Sequence, residues 1–318
     1  MGLTSIEICA GAGGQAIGLE WAGFEHVALV ELEGWACETL RTNRPEWNVI
    51  EGDLKDFNAD AYEGVDLVAG GVPCPPFSKA GKQLGRRDER DLFPEALRIV
   101  SECMPAAVML ENVRGLLDPV FDRYRAGLGR ELRKLGYAVD WKLLNASDFG
   151  VPQLRPRTLL VAFREGAEHF RWPEPAAAGA PTVGNALHAQ MASGGWAGAA
   201  EWARMANRIA PTLVGGSKKH GGPDLGPTRA RKAWADLGVD GLGLADAPPG
   251  PGFEGMPKLT VEMAATIQGF PPEWQIAGRK TAAYRQVGNA FPPPVAHAVG
   301  ERIALAVETA RDLAAAAA

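Results

Sequence analysis

The chain has 318 residues and a mass of 33.7 kDa, with 46% apolar and 22% charged residues. That is the balance of an ordinary globular protein, large enough for one large domain or for a large and a small one sharing a chain. No run of 18 apolar residues occurs, which excludes a membrane-spanning helix, and the first nine residues carry no basic segment followed by an apolar run, so no secretory leader is expected. Formal net charge is −5, so a nucleic-acid partner would need a locally basic surface. The four cysteines (Cys9, Cys37, Cys74, Cys103) lie in the first third with no CxxC pair, against a disulfide scaffold and in keeping with a reducing, cytoplasmic compartment. The five histidines are scattered without ligand spacing, so no metal is expected.

In chain order, Ser5 to Cys9 reads as a short buried strand ending in a glycine turn, Gly11-Ala12-Gly13-Gly14. A helix to about Trp21 follows, then a strand Val27 to Glu31 and a helix Gly34 to Asn43. Asp66 to Ala69, Ala107 to Leu110 and Leu159 to Phe163 read as further strands covered on both faces, with helices such as Pro94 to Cys103 and Asp122 to Leu135 between them. This alternation predicts an α/β fold with a doubly wound, Rossmann-like, mostly parallel sheet. From about Arg164 to Pro257 the chain is rich in Gly, Pro and Ala and shows no clean period, yet it holds Trp172, Trp196, Trp202 and Trp234. Four tryptophans favour a small loop-rich domain over a linker. Helices resume at Val261 to Gln268 and Pro294 to about Leu313, with the last five alanines expected to fray. There is no internal repeat.

The glycine turn, followed by Glu31 at the end of the second strand, suits a nucleoside cofactor: main-chain N–H groups meet the ligand and a carboxylate accepts ribose hydroxyls. Asp53 could hold an adenine amino group. Glycine spacing alone leaves NAD, flavin, S-adenosylmethionine and a purely structural turn open.

Cys74 lies in Gly70-Gly71-Val72-Pro73-Cys74-Pro75-Pro76-Phe77-Ser78, where three prolines in four residues exclude helix or central strand and present the thiol at a strand's C-terminal end. In open α/β sheets that end carries the ligand. Lys79, Lys82, Arg86, Arg87 and Arg90 follow, a basic run that suits closure over a polyanion.

Taken in order, GAGG, Glu31, Gly52-Asp53, GGVPCPPFS, Glu111-Asn112-Val113, Gln153-Leu154-Arg155-Pro156-Arg157, QGFP at Gln268 to Pro271 and RQVGNA at Arg285 to Ala290 resemble the C5-cytosine DNA methyltransferases. The resemblance runs from Glu7 to Val295 and leaves Arg164 to Pro257 unmatched, apart from a Thr212-Leu213 pair of the kind found in that family's recognition region. It implies a class I methyltransferase that uses S-adenosylmethionine, releases S-adenosylhomocysteine and acts on a cytosine flipped out of double-stranded DNA.

Cytosine C5 is too weak a nucleophile to take a methyl group unaided, and a thiolate adding at C6 makes it enamine-like. The resemblance assigns that thiol to Cys74. It assigns Glu111 to N3 and the N4 amino group, as a proton-bearing carboxyl with a raised pKa, with Asn112 beside it. Arg157 falls to the cytosine O2, and Arg155 supports it near the thiol and the DNA backbone. For the cofactor it implies Cys9, Gly11, Ala12, Gly13 and Gly14 around the methionine end. Glu31 falls on the ribose, and Leu32, Asp53 and Leu54 at the adenine. Gly71, Pro73 and Leu92 line the methyl side, and Asn289 and Ala290 complete the pocket. The catalytic domain would then be discontinuous, 1–163 plus 280–318, with a target recognition domain at 164–279.

Cys9 stands where the family usually has Phe, and Val72 and Pro75 replace a commoner Pro and Gln. These departures bear on cofactor affinity and loop dynamics rather than on the reaction. Between Arg204 and Lys232, seven basic residues face one acid, interleaved with glycines. Such a stretch can settle on phosphates and reach base edges. DNA contacts are therefore expected from Ser78, Lys79, Lys82, Arg86, Arg87, Arg90, Thr212, Lys218, Lys219, Arg229 and Arg231. A monomer bound to the nucleoid, with or without a cognate restriction endonuclease, is the expected setting. Three alternatives remain: a tRNA cytosine methyltransferase, against which stands the lack of any cysteine after Cys103; a nicotinamide or flavin oxidoreductase; and a catalytically silent DNA-binding homologue.

Overall fold

A computed structural model describes residues 2–73, 91–215 and 224–317. Its first half alternates strand and helix: β1 (Leu3–Ile8), α1 (Gly14–Trp21), β2 (Phe24–Glu31), α2 (Gly34–Asn43), β3 (Val49–Glu51), β4 (Leu67–Gly71), α3 (Phe93–Cys103), β5 (Ala107–Val113) and α4 (Asp122–Lys134). Two further strands, β6 (Ala138–Asn145) and β7 (Pro156–Phe163), close a seven-stranded sheet of order β3-β2-β1-β4-β5-β7-β6. The first five strands of that order run parallel, and β7 runs antiparallel to both β5 and β6. Because β2 lies on one side of β1 and β4 on the other, the strand order reverses between β1 and β4. The crevice at the carboxyl ends of that pair is where an open α/β sheet takes its ligand.

Alternate residues of these strands enter different cores, as the period of two requires. Ile6, Ile8, Val68, Val108, Leu110 and Leu160 meet α3 and α4 on one face. Leu67, Ala69, Met109, Leu159 and Val161 meet the C-terminal helix α10 (Pro293–Ala317) on the other. Both faces are covered, which is why the strands read as continuous apolar runs. Two glycines of α1 are dictated by packing. A Cβ at Gly14 would strike the Phe291 carbonyl, and one at Gly18 would strike the Pro293 carbonyl, so α10 can lie directly on α1.

Strand β6 was not anticipated from sequence. Its residues are mostly half-exposed or exposed and include Asp140 and Lys142, because it is the edge strand and lacks a continuous apolar signal. The stretch from Arg164 to Pro257 is more regular than its composition suggests, with α5 (Val183–Ala192), α6 (Ala199–Met205) and α7 (Thr228–Ala235). Thr182 caps α5, its hydroxyl accepting the Asn185 N–H at 3.2 Å. The tryptophans divide. Trp202 and Trp234 are buried in a core shared with Ile17, Leu40 and Trp274, which joins this region to the first helices of the sheet domain, while Trp196 packs on its border. Helix α8 (Val261–Gln268) matches expectation, opened by Thr260 and closed by Gly269 at φ +88°. Helix α9 (Lys280–Asn289) was not anticipated. Helix α10 extends past Leu313 through Ala317, as alanines, the best helix formers, can when a long helix already supports them. No helix among the described residues is long and apolar enough to cross a membrane.

Candidate active site

A cavity of about 360 Å³ opens at the strand-order reversal. Of the fourteen expected cofactor residues, Cys9, Gly11, Ala12, Gly14, Glu31, Leu32, Asp53, Leu54, Gly71, Pro73, Leu92, Asn289 and Ala290 line it; Gly13 does not. Gly13 instead forms the turn, at φ +83° as N-cap of α1, with its Cβ position pressed against Leu40 and the Trp274 ring. Cys9 also holds a left-handed backbone, at φ +54°, a conformation that strains any residue with a side chain. Glu31 accepts the N–H of Gly11 (2.7 Å) and of Glu33 (2.8 Å), which fixes its carboxylate at the cavity wall. Burial raises its pKa, opposed by these main-chain donors.

Sequence reasoning missed several lining residues. Glu7, in the middle of β1, is fully buried, and neither carboxylate oxygen has a hydrogen-bond partner. Burial pushes its pKa up to about 8, with the nearby Gln15 amide pulling it back only in part. The signal was present: an acid in a strand covered on both faces has to answer to something. Trp35 stands half-exposed at the mouth, with Gly278, at φ +101°, against its indole. Trp274 donates its indole N–H to the Ala12 carbonyl at 3.0 Å and so pins the glycine turn from 262 residues downstream.

At the deep end, strand pairing sets the chemistry. Gly71 on β4 is the register partner of Glu111 on β5, and a Cβ at Gly71 would come within 3.2 Å of Glu111 Oε2. Glu111 Oε1 accepts Arg157 Nε at 2.7 Å, and both side chains are about nine-tenths buried. Burial raises the Glu111 pKa while Arg157 and Arg155 oppose it, and burial lowers that of Arg157 while Glu111 supports its charge. Asn112 donates from Nδ2 to the Val72 carbonyl at 2.8 Å, and Leu92 N–H donates to the Pro73 carbonyl at 3.2 Å. These two bonds hold the stretches on either side of residues 74–90 against β5 and against each other. Cys74 itself, with Ser78, Lys79, Lys82, Arg86, Arg87 and Arg90, lies outside the described residues, as do Lys218 and Lys219.

Arg155 departs from expectation. A place near the DNA backbone would need an exposed guanidinium, but the side chain is fully buried and spends its donors on the main-chain carbonyls of Leu213, Gly288 and Ala290. Of the remaining DNA candidates, Arg229 is exposed on α7, and Arg231 lies 3.9 Å from Asp224. Thr212 donates its hydroxyl to the Leu154 carbonyl. Among the described residues no cluster of three or more His, Cys, Asp or Glu is arranged to hold a metal.

The family model for C-5 cytosine-specific DNA methylases matches residues 3–305. The chain is 59% identical to the Type II methyltransferase M.NaeI of Lentzea aerocolonigenes, over 96% of this chain and 75% of that one. It is 56% identical to the Type II methyltransferase M.NgoMIV of Neisseria gonorrhoeae, over 97% of this chain and 99% of that one. In fold it is similar to a DNA modification methyltransferase encoded within an E. coli prophage, with a TM-score of 0.68 at 20% identity, covering 98% and 99% of the two chains. Such a match leaves no room for the nicotinamide or flavin alternative.

Proposed function

Because the chain belongs to the C-5 cytosine-specific DNA methylase family and is therefore a DNA (cytosine-5-)-methyltransferase, we propose that it works by a covalent route in which Cys74 attacks C6 of a flipped cytosine. The observation that carries this reading is the buried Glu111–Arg157 pair at the deep end of the glycine-turn cavity.

The cavity fits S-adenosylmethionine by its donor set. Glu31 offers a fixed carboxylate to ribose hydroxyls, and the orphaned Glu7 carboxylate suits the ammonium of the methionine end. Asp53 and Leu54 lie with Leu32 at the adenine side. When bound, this cofactor supplies an electrophilic methyl on a sulfonium sulfur.

The chain's own residues do the rest. Cys9 is half-buried and Cys103 buried, both with pKa values pushed up chiefly by desolvation, and Cys37 is pushed up to about 12, so none of the three is a ready thiolate. The nucleophile falls to Cys74. As its sulfur bonds to C6, the ring's electron pair moves toward N3 and O2. Glu111, kept prone to protonation by burial, gives N3 a proton, while the Arg157 guanidinium faces the charge at O2. With the cofactor bound, the methyl group would pass to C5 as its bond to the sulfonium sulfur breaks to leave S-adenosylhomocysteine. The C5 proton then leaves to a base, the C6–S bond breaks to return the thiolate, and N3 gives its proton back to Glu111. The catalytic part comprises 1–163 with 280–318, and 164–279 reads the target. The enzyme acts as a monomer on the nucleoid in the cytoplasm. Its Type II relatives support a role in protecting a short site from a cognate restriction endonuclease.

The test is a duplex carrying 5-fluorocytosine at the target, which blocks loss of the C5 substituent and so retains the protein–DNA bond. The wild type should accumulate a methylated covalent adduct, and Cys74→Ser should bind the same duplex without forming one. An adduct that persists in Cys74→Ser would overturn the assignment. Bisulfite sequencing of DNA from a methylation-free host expressing the protein reads out the cytosine context.

A further inference from the structure

Gln153, Arg155 and Gln268 take no part in the chemistry above, yet all three are completely buried. A guanidinium removed from water costs several kcal/mol unless its hydrogen bonds are made. Here the two terminal nitrogens make theirs almost entirely with the backbone of two distant stretches, while the buried Nε has no partner. Arg155 Nη1 donates to Leu213 O at 2.8 Å, and Nη2 donates to Gly288 O at 2.8 Å and to Ala290 O at 2.9 Å. Gln153 Oε1 accepts the Leu213 N–H at 2.8 Å, so that residue is gripped at both ends. Gln153 Nε2 donates to Gln268 Oε1 at 2.7 Å, and Gln268 Nε2 closes the circuit on Ala290 O. The two stretches also touch directly: a Cβ at Gly288 would strike the Gly215 backbone, and one at Gly215 would strike Asn289 and the Arg285 carbonyl.

One end of this circuit, Thr212 to Gly215, leads into the basic glycine segment. The other, Gly288 to Ala290, ends at the wall of the cofactor cavity. A planar guanidinium is a rigid fork. Displacing Leu213 without displacing Gly288 and Ala290 would therefore break buried hydrogen bonds with no water to replace them. We propose that Arg155, held by Gln153 and Gln268, is a positioning residue that makes DNA binding and cofactor binding depend on one another. Each ligand fixes the same backbone, so the second to bind meets an arrangement already ordered. The coupling is reciprocal by thermodynamic necessity.

This inference rests on the reading that residues 212–215 approach DNA and residues 289–290 hold the cofactor. The experiment is calorimetric titration with S-adenosylhomocysteine, with and without a short duplex carrying the cytosine context found by bisulfite mapping. The wild type should bind the nucleoside at least tenfold more tightly with DNA present, and the duplex by the same factor with the nucleoside present. Arg155→Lys keeps a buried cation but cannot hold carbonyls in two directions, and its ratio should fall to within twofold of one. A merely structural role would weaken both affinities and leave the ratio intact. Thermal melting checks that the variant folds; where it does not, Gln268→Met decides, with the ratio expected to drop at least threefold. A wild-type ratio of one, or an unchanged ratio in the folded variant, overturns the proposal. Failure of the wild type to bind the nucleoside, or the duplex, overturns the cofactor or the DNA reading itself, and the coupling with it.

Discussion

Arg157 Nε lies 2.7 Å from Glu111 Oε1 across two strands that run in opposite directions. The reversal of β7 gives this arrangement. A parallel neighbour of β5 would enter the sheet from the other end and leave its first residues far from the cavity. Because β7 begins where β5 ends, Arg157, its second residue, faces the carboxylate on β5. Glu111→Gln keeps the shape and removes the titrating proton. Its kcat should fall by about 10²–10⁴-fold, while S-adenosylhomocysteine affinity measured by calorimetry stays within twofold.

The same carboxyl sets a pH dependence. Burial raises the Glu111 pKa, and the proposed role needs the protonated form. Methyl transfer should therefore decline as pH rises through that raised value, with the loss in kcat. A single-turnover rate that stays flat or climbs across the whole pH range in which the protein stays folded would exclude Glu111 as the acid.

Glu7 predicts an opposite trend for cofactor binding. Its carboxyl is neutral in the free folded protein up to about pH 8, against 4.5 as the ordinary value. An ammonium partner requires the ionised form, so S-adenosylhomocysteine affinity should rise about tenfold per pH unit up to about 8 and then level off. Stability without ligand moves the other way. The unfolded chain releases this proton near 4.5 and the folded chain only near 8, so the contribution is complete below 4.5 and is lost as pH climbs through 8. Urea denaturation of wild type against Glu7→Gln across pH 5–8 should show this divergence.

Trp274→Phe removes the indole donor to Ala12 and the ring edge that packs against Gly13 and Trp47. A neutral hydrogen bond is worth about 0.5–1.5 kcal/mol, which corresponds to a loss of roughly two- to tenfold in cofactor affinity by calorimetry. Duplex binding without cofactor should be unchanged.

Gly18→Ala tests the contact between α1 and α10. Alanine favours a helix by about 1 kcal/mol, but its methyl would meet the Pro293 carbonyl and the Ala296 side chain. Overpacking of this kind costs about 1–3 kcal/mol, and the melting temperature should fall by a few degrees. A rise would mean that α10 can shift away freely.

What the sequence made legible follows from where signals are local. The turn at Gly11 to Gly14, the strand ends at Glu31 and Gly71, and the ordered motifs pointed to fourteen residues, thirteen of which line one cavity. Gly13 is not among the lining residues because it makes the turn itself, at φ +83° beside Trp274. Strand β6 was invisible because an edge strand facing solvent carries no continuous apolar run. Arg155 and Arg157 alternate along the chain and suggested a shared target. Tertiary contacts from Leu213, Gly288 and Ala290 separated them, and no spacing encodes those.

The cavity is built from segments far apart in the chain. Its glycine turn leaves the ribosome first, whereas Trp274, which pins that turn, Asn289 and Ala290 emerge some 260 or more residues later. At about 5–20 residues per second, a nascent chain spends many seconds without a complete pocket. Newly made enzyme thus begins to mark DNA only after Ala290 has been synthesised. In a cell that has just acquired the gene, methylation of the chromosome lags the first appearance of the polypeptide by at least that interval.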